Sequence, residues 1–411
     1  MSSAALATTP SQLTPALKGE GRVLIASLNR EVGDTGVHVH TRALCDGLRA
    51  AGISCDECSP FSAGAHWPAV FAIRRLIHPL NKSWSTRWYR RWHFAALRDN
   101  LLKYLSSHSV DHLIAQCPVS AQAALEARAQ HNRDFEITMV CHFNHSEARE
   151  YFENGELDRA THDRILDFER RVLSEVDRVI YVSKWAQETV EQERGIHPRA
   201  SCTIWNGIAP HAQASAISRS SLGLHDDDVV LINVGTLEPR KNQLGLIDFF
   251  AGVARQFPAA RLVLVGDGPN RAAIVDRIQR LGLGEKIRVL GRRHDVPSIL
   301  PAADLYVHYA KAENCPIALL EAARAGLPIA AVPAGGAGEI LEKLGGVAIL
   351  PEKLDQSITE IVALLQDADL RRQCSSSARE SFAQHFTLDA MISGYCRALR
   401  LEPRMAHGEG A

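Results

Sequence analysis

Two glutamates in the C-terminal half of the chain, Glu313 and Glu321, stand eight residues apart in the segment AENCPIALLEA. Pro316 suits the first turn of a helix, so Glu313 is expected in a loop and Glu321 inside the helix. The free amides of the first helical turn then lie between the two carboxylates. A ligand with a central diphosphate, a sugar at one end and a ribose at the other fits this spacing. The alternative is a loop Glu and a Glu on a polar helix face, although the apolar neighbours of Glu321 disfavour a purely solvated role.

A second group of candidate ligand-binding residues lies at 234–242, where the sequence reads VGTLEPRKN. A strand is predicted to end at Gly235 and a helix to begin near Asn242, which puts Arg240 and Lys241 at the carboxyl end of a strand. A diphosphate requires this combination of permissive backbone, helix amides and cationic side chains. A solvated turn with ordinary surface charges is equally compatible with these nine residues alone.

Two further strand ends carry weaker signals. Gly266 lies in the turn VGDGPN, and Arg292 follows another predicted strand, where its guanidinium could stack on a nucleotide base. Such turns are common in α/β folds, and an arginine after a strand is usually only part of the solvated surface.

The candidate residues must be positioned by the elements between them. These are short apolar strands that alternate with helical stretches, and the pattern occurs twice. Continuous Val/Ile/Leu strands separated by helices predict parallel sheets that are buried on both faces. We therefore predict an α/β fold with two Rossmann-like domains and a ligand at the carboxyl ends of the strands. The strands are predicted at 22–28, 112–117, 136–141, 178–183 and 202–205, and then at 229–235, 261–265, 286–290, 304–309 and 328–332.

Length and composition agree with two globular domains. The 411 residues are 46% hydrophobic and 23% charged, which excludes a disordered or collagen-like chain. The formal charge of −1 provides no global field that would attract nucleic acid. Nine Cys residues, without a signal peptide, predict reduced thiols in the cytoplasm. No apolar run is long enough to predict a membrane span.

Residues 59–98 have a composition of their own. They contain seven Lys and Arg residues and no Asp or Glu, and four of the six Trp residues fall within them. On a helix, Trp84, Trp88 and Trp92 would form one stripe, with Arg87 and Arg91 beside it. Two interpretations have equal weight: an anionic membrane surface or lipid-diphosphate acceptor binds here, or the stripe packs into the core.

Two other motifs are not predicted to be functional. Asp226-Asp-Asp228 resembles a metal site but precedes a strand, at the end of the sheet opposite the ligand, so a solvated turn is expected. Cys55 and Cys58 have metal-ligand spacing, but no second pair completes a tetrahedral site.

Four motifs together resemble glycosyltransferase family 4 in their order and spacing. They are G-x-x-E-P-R-K-N at 235–242, V-G-D-G-P at 265–269, the Glu313/Glu321 pair and G-G-x-x-E at 335–339. The similarity extends over nearly the whole chain, from residue 21 to about residue 400. It implies a GT-B fold and a retaining, metal-independent transfer from a nucleotide-activated sugar, with no cofactor besides that donor substrate.

The resemblance also implies roles for individual residues. Arg240 and Lys241 would hold the diphosphate and stabilise the leaving group. Glu313 would contact the donor sugar and Glu321 the ribose, and His142 would line the donor sugar pocket. The donor site would also include Gly33, Gly36, Gly235, Gly266, Arg292, Asn314, Cys315, Pro316 and Ile317.

Two positions depart from the family pattern. Gly33 and Gly36 are separated by two residues where the family has adjacent glycines, which puts the contacts of this loop in question. Asn314 stands where the family often has Gly, and because Asn tolerates a left-handed backbone, we expect the turn to be kept.

The predicted organisation is a flexible leader at 1–20, an acceptor-side domain at 21–207 and a nucleotide-sugar domain at 208–386. A helix at 387–403 would pack back on the N-terminal domain, before a flexible tail at 404–411. The predicted activity is transfer of a hexose to a glycan or lipid-linked acceptor in cell-surface polysaccharide synthesis, in the cytoplasm at the inner face of the membrane. A nucleotide-sugar epimerase or hydrolase of the same fold, or a non-catalytic nucleotide-sugar binding protein, is the alternative.

Overall fold

The N-terminal half forms one six-stranded parallel sheet. The computed structural model describes residues 21–30, 36–62, 67–210, 215 and 217–402. The strand order is β2-β1-β3-β4-β5-β6, and every pairing in this sheet is parallel. The strands are β1 (Val23–Ala26), β2 (Cys55–Cys58), β3 (His112–Ala115), β4 (Glu136–Cys141), β5 (Arg178–Tyr181) and β6 (Ser201–Thr203).

Helices cover both faces of this sheet, because its strands are apolar on both sides. Alternate residues of β1 contribute to two different hydrophobic clusters, with Val23 and Ile25 in one and Leu24 and Ala26 in the other. The helices are α1 (Gly36–Ala50), α2 (Trp67–Ile77), α3 (Lys82–Ser107), α4 (Pro118–His131), α5 (Glu147–Glu153), α6 (Arg159–Glu175) and α7 (Lys184–Glu188).

The C-terminal half repeats this architecture. A second parallel sheet has the order β12-β11-β10-β7-β8-β9. Its strands are β7 (Val229–Val234), β8 (Ala260–Val265), β9 (Ile287–Gly291), β10 (Leu305–His308), β11 (Ile329–Ala331) and β12 (Val347–Ala348). Its helices are α8 (Gln243–Gln256), α9 (Arg271–Arg280), α10 (Val296–Ile299), α11 (Ile317–Ala325), α12 (Ala337–Lys343), α13 (Leu354–Gln366) and α14 (Ala368–His385), and α15 (Leu388–Leu399) follows them.

The prediction of two parallel sheets is confirmed, and two strands were missed. Strand β2 consists of Cys-Asp-Glu-Cys, whose two central residues are exposed because β2 is an edge strand. Strand β12 has only two residues. Neither gives the continuous apolar run that marks the inner strands of a parallel sheet. The predicted leader at 1–20 and the predicted tail at 404–411 lie outside the described residues.

The chain crosses between the two halves at two adjacent places. The Ile208 amide donates to the Phe386 carbonyl over 3.0 Å, and the Leu388 amide donates to the Ile208 carbonyl over 2.9 Å. After the second crossing, α15 packs against α1 of the N-terminal domain, where the Tyr395 hydroxyl lies 3.2 Å from Nε2 of His40. The last helix therefore joins the N-terminal half although it follows the C-terminal sheet.

A glycine on α1 allows this contact with α15. A Cβ atom on Gly47 would lie 2.5 Å from Cδ1 of Ile392. We expect Gly47→Ala to lower the free energy of unfolding by about 1–3 kcal/mol, because the packed helices must separate. Gly284→Ala is the matched control, since its Cβ would meet nothing within 4 Å. Urea unfolding measures both variants, and equal midpoints would contradict the close packing of α15 on α1.

Candidate active site

The loops after β7 and β8 come so close together that only glycine fits. The Gly235 amide donates to the Val265 carbonyl over 3.0 Å. Gly266 has a φ of +146°, and a Cβ there would lie 2.0 Å from the Gly235 carbonyl oxygen. Both glycines thus lie where the sequence places them, at the carboxyl ends of neighbouring strands.

The loop after β7 places two cations on one buried carboxylate. Nη1 of Arg240 lies 3.0 Å from Oε1 of Glu313, and Nζ of Lys241 contacts the same oxygen. The Arg240 carbonyl accepts a backbone hydrogen bond of 2.9 Å from Lys311, which joins this loop to the one after β10. The structure therefore brings together the two motifs that carry the predicted diphosphate and sugar contacts.

The two cations keep Glu313 ionised. Its side chain is only 9% exposed, and burial by itself would raise its pKa. Lys241 and Arg240 outweigh burial, and the pKa of Glu313 is below its usual value. The result is a compact group of one negative and two positive charges at the carboxyl end of the C-terminal sheet.

Asn314, the next residue, contacts the N-terminal domain through its side chain. Nδ2 of Asn314 donates to the Phe143 carbonyl over 3.0 Å and lies 3.5 Å from the Cys141 carbonyl. The Ser183 hydroxyl donates to Oδ1 of Asn314. Asn314 is not among the described residues with positive φ, so this turn does not use the left-handed backbone that Asn tolerates. The structure places the side-chain amide of Asn314 between the two domains.

His142 lies between the two carbonyl groups that approach Asn314. Its Nε2 is 2.7 Å from Oε1 of Gln116, and its ring centre is 4.7 Å from that of His40. Burial, helped by the neighbouring His40, lowers the pKa of His142 well below the usual value. A neutral imidazole therefore stands at the end of β4, beside the loop that carries Glu313.

The start of α11 approaches the start of α1 across the space between the domains. A Cβ on Gly36 would lie 4.0 Å from Cδ1 of Ile317. Pro316 is the N-cap of α11, and the Cys315 carbonyl accepts a 3.2 Å hydrogen bond from Asn206. Gly33, predicted for the same loop as Gly36, lies outside the described residues.

Glu321 lies within α11, as predicted. Burial raises the pKa of this half-buried carboxyl group, and Arg324 opposes the shift. The Tyr306 hydroxyl donates to the Val234 carbonyl over 3.3 Å, and the carboxylates of Glu321 and Glu313 both help to raise its pKa. Both glutamates of the predicted pair therefore act electrostatically on the same buried hydroxyl, which lies at the end of β7.

Arg292 is exposed immediately after β9. Its position is at the same edge of the sheet as Gly235 and Gly266, since the Gly266 amide donates to the Gly291 carbonyl over 2.9 Å.

The Trp stripe of α3 is not its buried face. Ser83, Ser85, Thr86, His93 and three leucines are buried, whereas Trp84 and Trp92 are 43% and 44% exposed. Trp88 is half-buried and lies edge-on to Trp92, and Arg87 and Arg91 are exposed. We use the name α2–α3 patch for the exposed residues Ile73, Arg75, Leu76, Leu80, Lys82, Trp84, Arg87, Arg91 and Trp92.

Sequence reasoning missed His308, which lies behind the ion pairs at the end of β10. Its side chain is 2% exposed, and neither ring nitrogen has a hydrogen-bond partner among the described residues. Burial lowers its pKa to about 4, with Glu313 opposing the shift and Lys241 and Arg240 adding to it. A His inside an apolar strand carries no pattern that would have shown this proximity.

A carboxylate from the N-terminal domain was missed as well. Glu150, on α5, accepts hydrogen bonds of 2.9 and 3.0 Å from the backbone and side chain of Asn144. Burial raises the pKa of Glu150, and the charge of Arg240 opposes this, so the two side chains are within electrostatic reach of each other. Helix α5 is short, and its sequence gives no signal for such a role.

The two motifs that we did not predict to be functional have structural roles. Asp228 is buried and pairs with Arg261 at 3.0 Å, so the expected solvated turn is wrong at this residue. Cys55 and Cys58 belong to hydrophobic clusters on opposite faces of the sheet, so they do not converge on one metal ion.

Two family models match consecutive halves of the chain. The model described as "Glycosyltransferase Family 4" matches residues 35–211, and the one described as "Glycosyl transferases group 1" matches residues 215–381. Together they span both sheets except the first strand, and every motif described above except Gly33. The chain belongs to glycosyltransferase family 4.

Individual relatives are similar over part of their length. A Vi polysaccharide biosynthesis protein of Salmonella typhi is 29% identical over 44% of this chain and 32% of its own length. An Escherichia coli UDP-Gal:alpha-D-GlcNAc-diphosphoundecaprenol alpha-1,3-galactosyltransferase is 28% identical over 51% of this chain and 57% of its own length. The chain thus matches between about a third and three fifths of these two curated relatives.

The family 4 fold is also found in a solved structure. Anabaena HepE, solved with UDP-glucose, aligns with a TM-score of 0.69 and 20% identity over 92% of this chain and 99% of that chain. This likeness confirms the GT-B architecture of two Rossmann-like domains that the sequence predicted.

The burial of His308 predicts how the free energy of unfolding depends on pH. Because its pKa in the folded protein is about 4, the unfolded chain binds the proton more readily as the pH falls from about 6.5 to 4. The contribution of His308 to stability is therefore complete above about pH 6.5 and is lost toward pH 4. We expect His308→Leu to reduce this acid loss by up to about 3 kcal/mol.

Urea midpoints at pH 7.5 and 4.5 test this expectation. His294→Leu, at an exposed position, is the control and should follow the wild type. If His308→Leu and the wild type lose the same stability on acidification, His308 is not held neutral by burial.

Proposed function

We propose that this protein is a retaining glycosyltransferase that moves a hexose from a nucleotide diphosphate sugar to a glycan or lipid-linked acceptor. The observation that carries the proposal is the pair of cations on Glu313. Arg240 and Lys241 stand at the carboxyl ends of parallel strands, where ligands bind in such folds. An incoming diphosphate would form ion pairs with Arg240 and Lys241. Glu313 would then lie beside the sugar that the diphosphate carries.

Stabilisation of the leaving group is the main catalytic contribution in this proposal. Negative charge accumulates on the diphosphate as the bond to the sugar breaks, and fixed cations in a partly dry site stabilise that charge strongly. Arg240 and Lys241 would supply the charge that a divalent cation supplies elsewhere, so we propose a metal-independent reaction. Retention would follow from departure and attack on the same face of the sugar, with the leaving phosphate accepting the proton of the acceptor hydroxyl.

The proposed acceptor side is the N-terminal domain. His142 would line the donor sugar pocket, while Gln116, which bonds to His142, and Glu150, which is under the influence of the Arg240 charge, would supply groups that recognise acceptor hydroxyls. The Escherichia coli relative acts on a diphosphoundecaprenol-linked sugar, which supports a lipid-linked acceptor and a role in polysaccharide synthesis. An epimerase or hydrolase would need no acceptor site, and a non-catalytic binding protein would not need Glu313 beside two cations.

Binding of a panel of UDP-, GDP-, ADP- and dTDP-sugars, measured by thermal shift with and without chelator, tests the donor site. One nucleotide series should raise the melting temperature by mass action, and chelator should not change the shift. The anomeric configuration of the product, read by NMR, then tests retention. Stabilisation by no nucleotide sugar would contradict the proposed donor site.

Lys241 is the sharpest single test of the diphosphate assignment. We expect Lys241→Ala to lower kcat at least about 100-fold while the fold remains intact, because one leaving-group cation is lost. Lys311→Ala is the matched control, since Lys311 is exposed and joins the same loops only through its backbone amide. Turnover that survives in Lys241→Ala, or falls equally in Lys311→Ala, would contradict the assignment.

We further propose that the α2–α3 patch binds an anionic membrane surface. Leu76 and Leu80 are 73% and 85% exposed, and the patch combines apolar side chains with exposed cations. The other arginines of the segment have partners within the protein: Arg90 pairs with Glu147, and Arg74 lies over the ring of Tyr89. No helix among the described residues is long and apolar enough to cross a membrane.

The location of the patch suits delivery of a lipid-linked acceptor. The Arg30 guanidinium lies 4.4 Å from the ring centre of Phe71 on α2, and Arg30 follows β1 at the carboxyl end of the sheet. Helix α2 therefore borders the same end of the N-terminal domain that holds His142. A membrane on the patch would bring the headgroup region close to the proposed acceptor side.

Vesicle sedimentation tests the membrane proposal. We expect the wild type to bind vesicles that contain phosphatidylglycerol more tightly than pure phosphatidylcholine. The double change Leu76→Glu with Leu80→Glu should lower binding about tenfold or more, because two apolar contacts become charged. Val275→Glu, at another exposed apolar position, is the control. Equal sedimentation of the wild type and the double variant would refute the proposal.

A further inference from the structure

A second glutamate of the C-terminal domain accepts hydrogen bonds from the N-terminal domain. Glu339 lies in the first turn of α12. Its Oε1 accepts from the Lys184 amide over 3.1 Å, its Oε2 accepts from the Trp185 amide over 3.1 Å, and Nε1 of Trp205 donates to Oε1. One carboxylate thus accepts three N–H groups of the other domain, and such charge-assisted bonds are stronger than neutral ones.

The contact continues into the loop that carries Glu313. The Ala337 amide, at the start of α12, donates to the Glu313 carbonyl over 3.2 Å, and the Glu313 amide donates to the Ala334 carbonyl over 3.3 Å. A Cβ on Gly336 would lie 1.9 Å from the Asn314 carbonyl oxygen, so the two loops touch without any gap. Movement of α12 therefore displaces the backbone of Glu313.

The start of α7 makes a second contact with the C-terminal domain. Ser183 precedes Lys184, caps α7 by accepting from the Ala186 amide over 3.0 Å, and donates its hydroxyl proton to Asn314. Glu339 and Asn314 consequently bind neighbouring groups at the start of α7. Glu339 and Asn314 lie on either side of the Gly335–Gly336 turn, in which Gly335 forms a parallel β-bridge with Glu313.

We infer that Glu339 is a positioning residue that fixes the start of α7 to the Glu313 loop, and so aligns the acceptor side with the donor side. This inference rests on the proposed function, since the alignment matters only for a reaction between two bound substrates. The Glu339 carboxylate is engaged by protein N–H groups, so its proposed effect on the reaction is indirect. Its removal should leave nucleotide binding to the C-terminal domain largely intact and impair the transfer step.

Glu339→Ala and Glu339→Gln test this inference, with Glu342→Gln as the matched control. Glu342 is exposed on the same helix, one turn further along. We expect Glu339→Ala to lower kcat about 10- to 100-fold, because a displacement of about 1 Å between reacting groups has effects of this size. The Kd of the nucleotide should change less than about threefold. Glu339→Gln keeps the size of the side chain and one accepting oxygen, so an intermediate kcat is expected.

Hydrogen exchange supplies a readout that does not depend on activity. In Glu339→Ala, the amides of Lys184 and Trp185 should exchange faster than in the wild type, whereas Glu342→Gln should leave them unchanged. Melting temperatures of all variants identify any that fail to fold, and Glu339→Gln then serves as the test variant. Faster exchange together with a reduced kcat and a retained nucleotide Kd supports the inference.

Two results would overturn it. Unchanged exchange at these amides would mean that Glu339 does not hold α7. Faster exchange with a wild-type kcat would make Glu339 a helix cap without effect on the reaction. A wild-type protein that transfers no hexose would instead refute the proposed function, so the two failures are distinguishable.

Discussion

The ion pairs of Glu313 with Lys241 and Arg240 are the interaction on which the rest of the site depends. A carboxylate that is almost fully buried is costly unless cations compensate it, and here two cations do so. Because the three residues come from loops after β7 and β10, the pairing requires both strands to end at the same level. The Lys311 amide, which donates to the Arg240 carbonyl over 2.9 Å, joins these two loops directly.

The loop that carries Glu313 also joins the two domains. Its next residue, Asn314, is bound by the ends of β4 and β5, and its neighbouring turn leads into α12 and Glu339. The charge arrangement on the donor side and the orientation of the N-terminal domain are therefore parts of one hydrogen-bonded unit. A site between two domains that must align two substrates gains from this arrangement, since a small rotation of one domain changes both.

The cations of residues 59–98 fall into two sets, one paired within the protein and one exposed. Arg90 and Arg74 are used within the protein, against Glu147 and Tyr89, and they stabilise the packing of α2, α3 and α5. Arg75, Lys82 and Arg87 remain on the surface beside exposed apolar side chains. Composition alone could not show which of the seven Lys and Arg residues at 59–98 pair within the protein and which remain exposed. A sequence does not reveal whether the partner of a cation lies inside the protein.

The sequence by itself determined the two parallel sheets and the candidate residues at their carboxyl ends. These features follow from local patterns: apolar strands, glycines at strand ends and a proline before a helix. Only the tertiary structure decided that Glu313 pairs with Lys241 and Arg240, that Asn314 faces the other domain and that Glu339 binds α7. It also decided that His308 is buried near these ion pairs, with no hydrogen-bond partner among the described residues. Ser183 and Asn314 are 131 residues apart, and Glu339 is 155 residues from Lys184. The residues next to a polar side chain in the sequence do not identify so distant a partner. The packing of the domains selects the partner, and the periodicity of either segment does not.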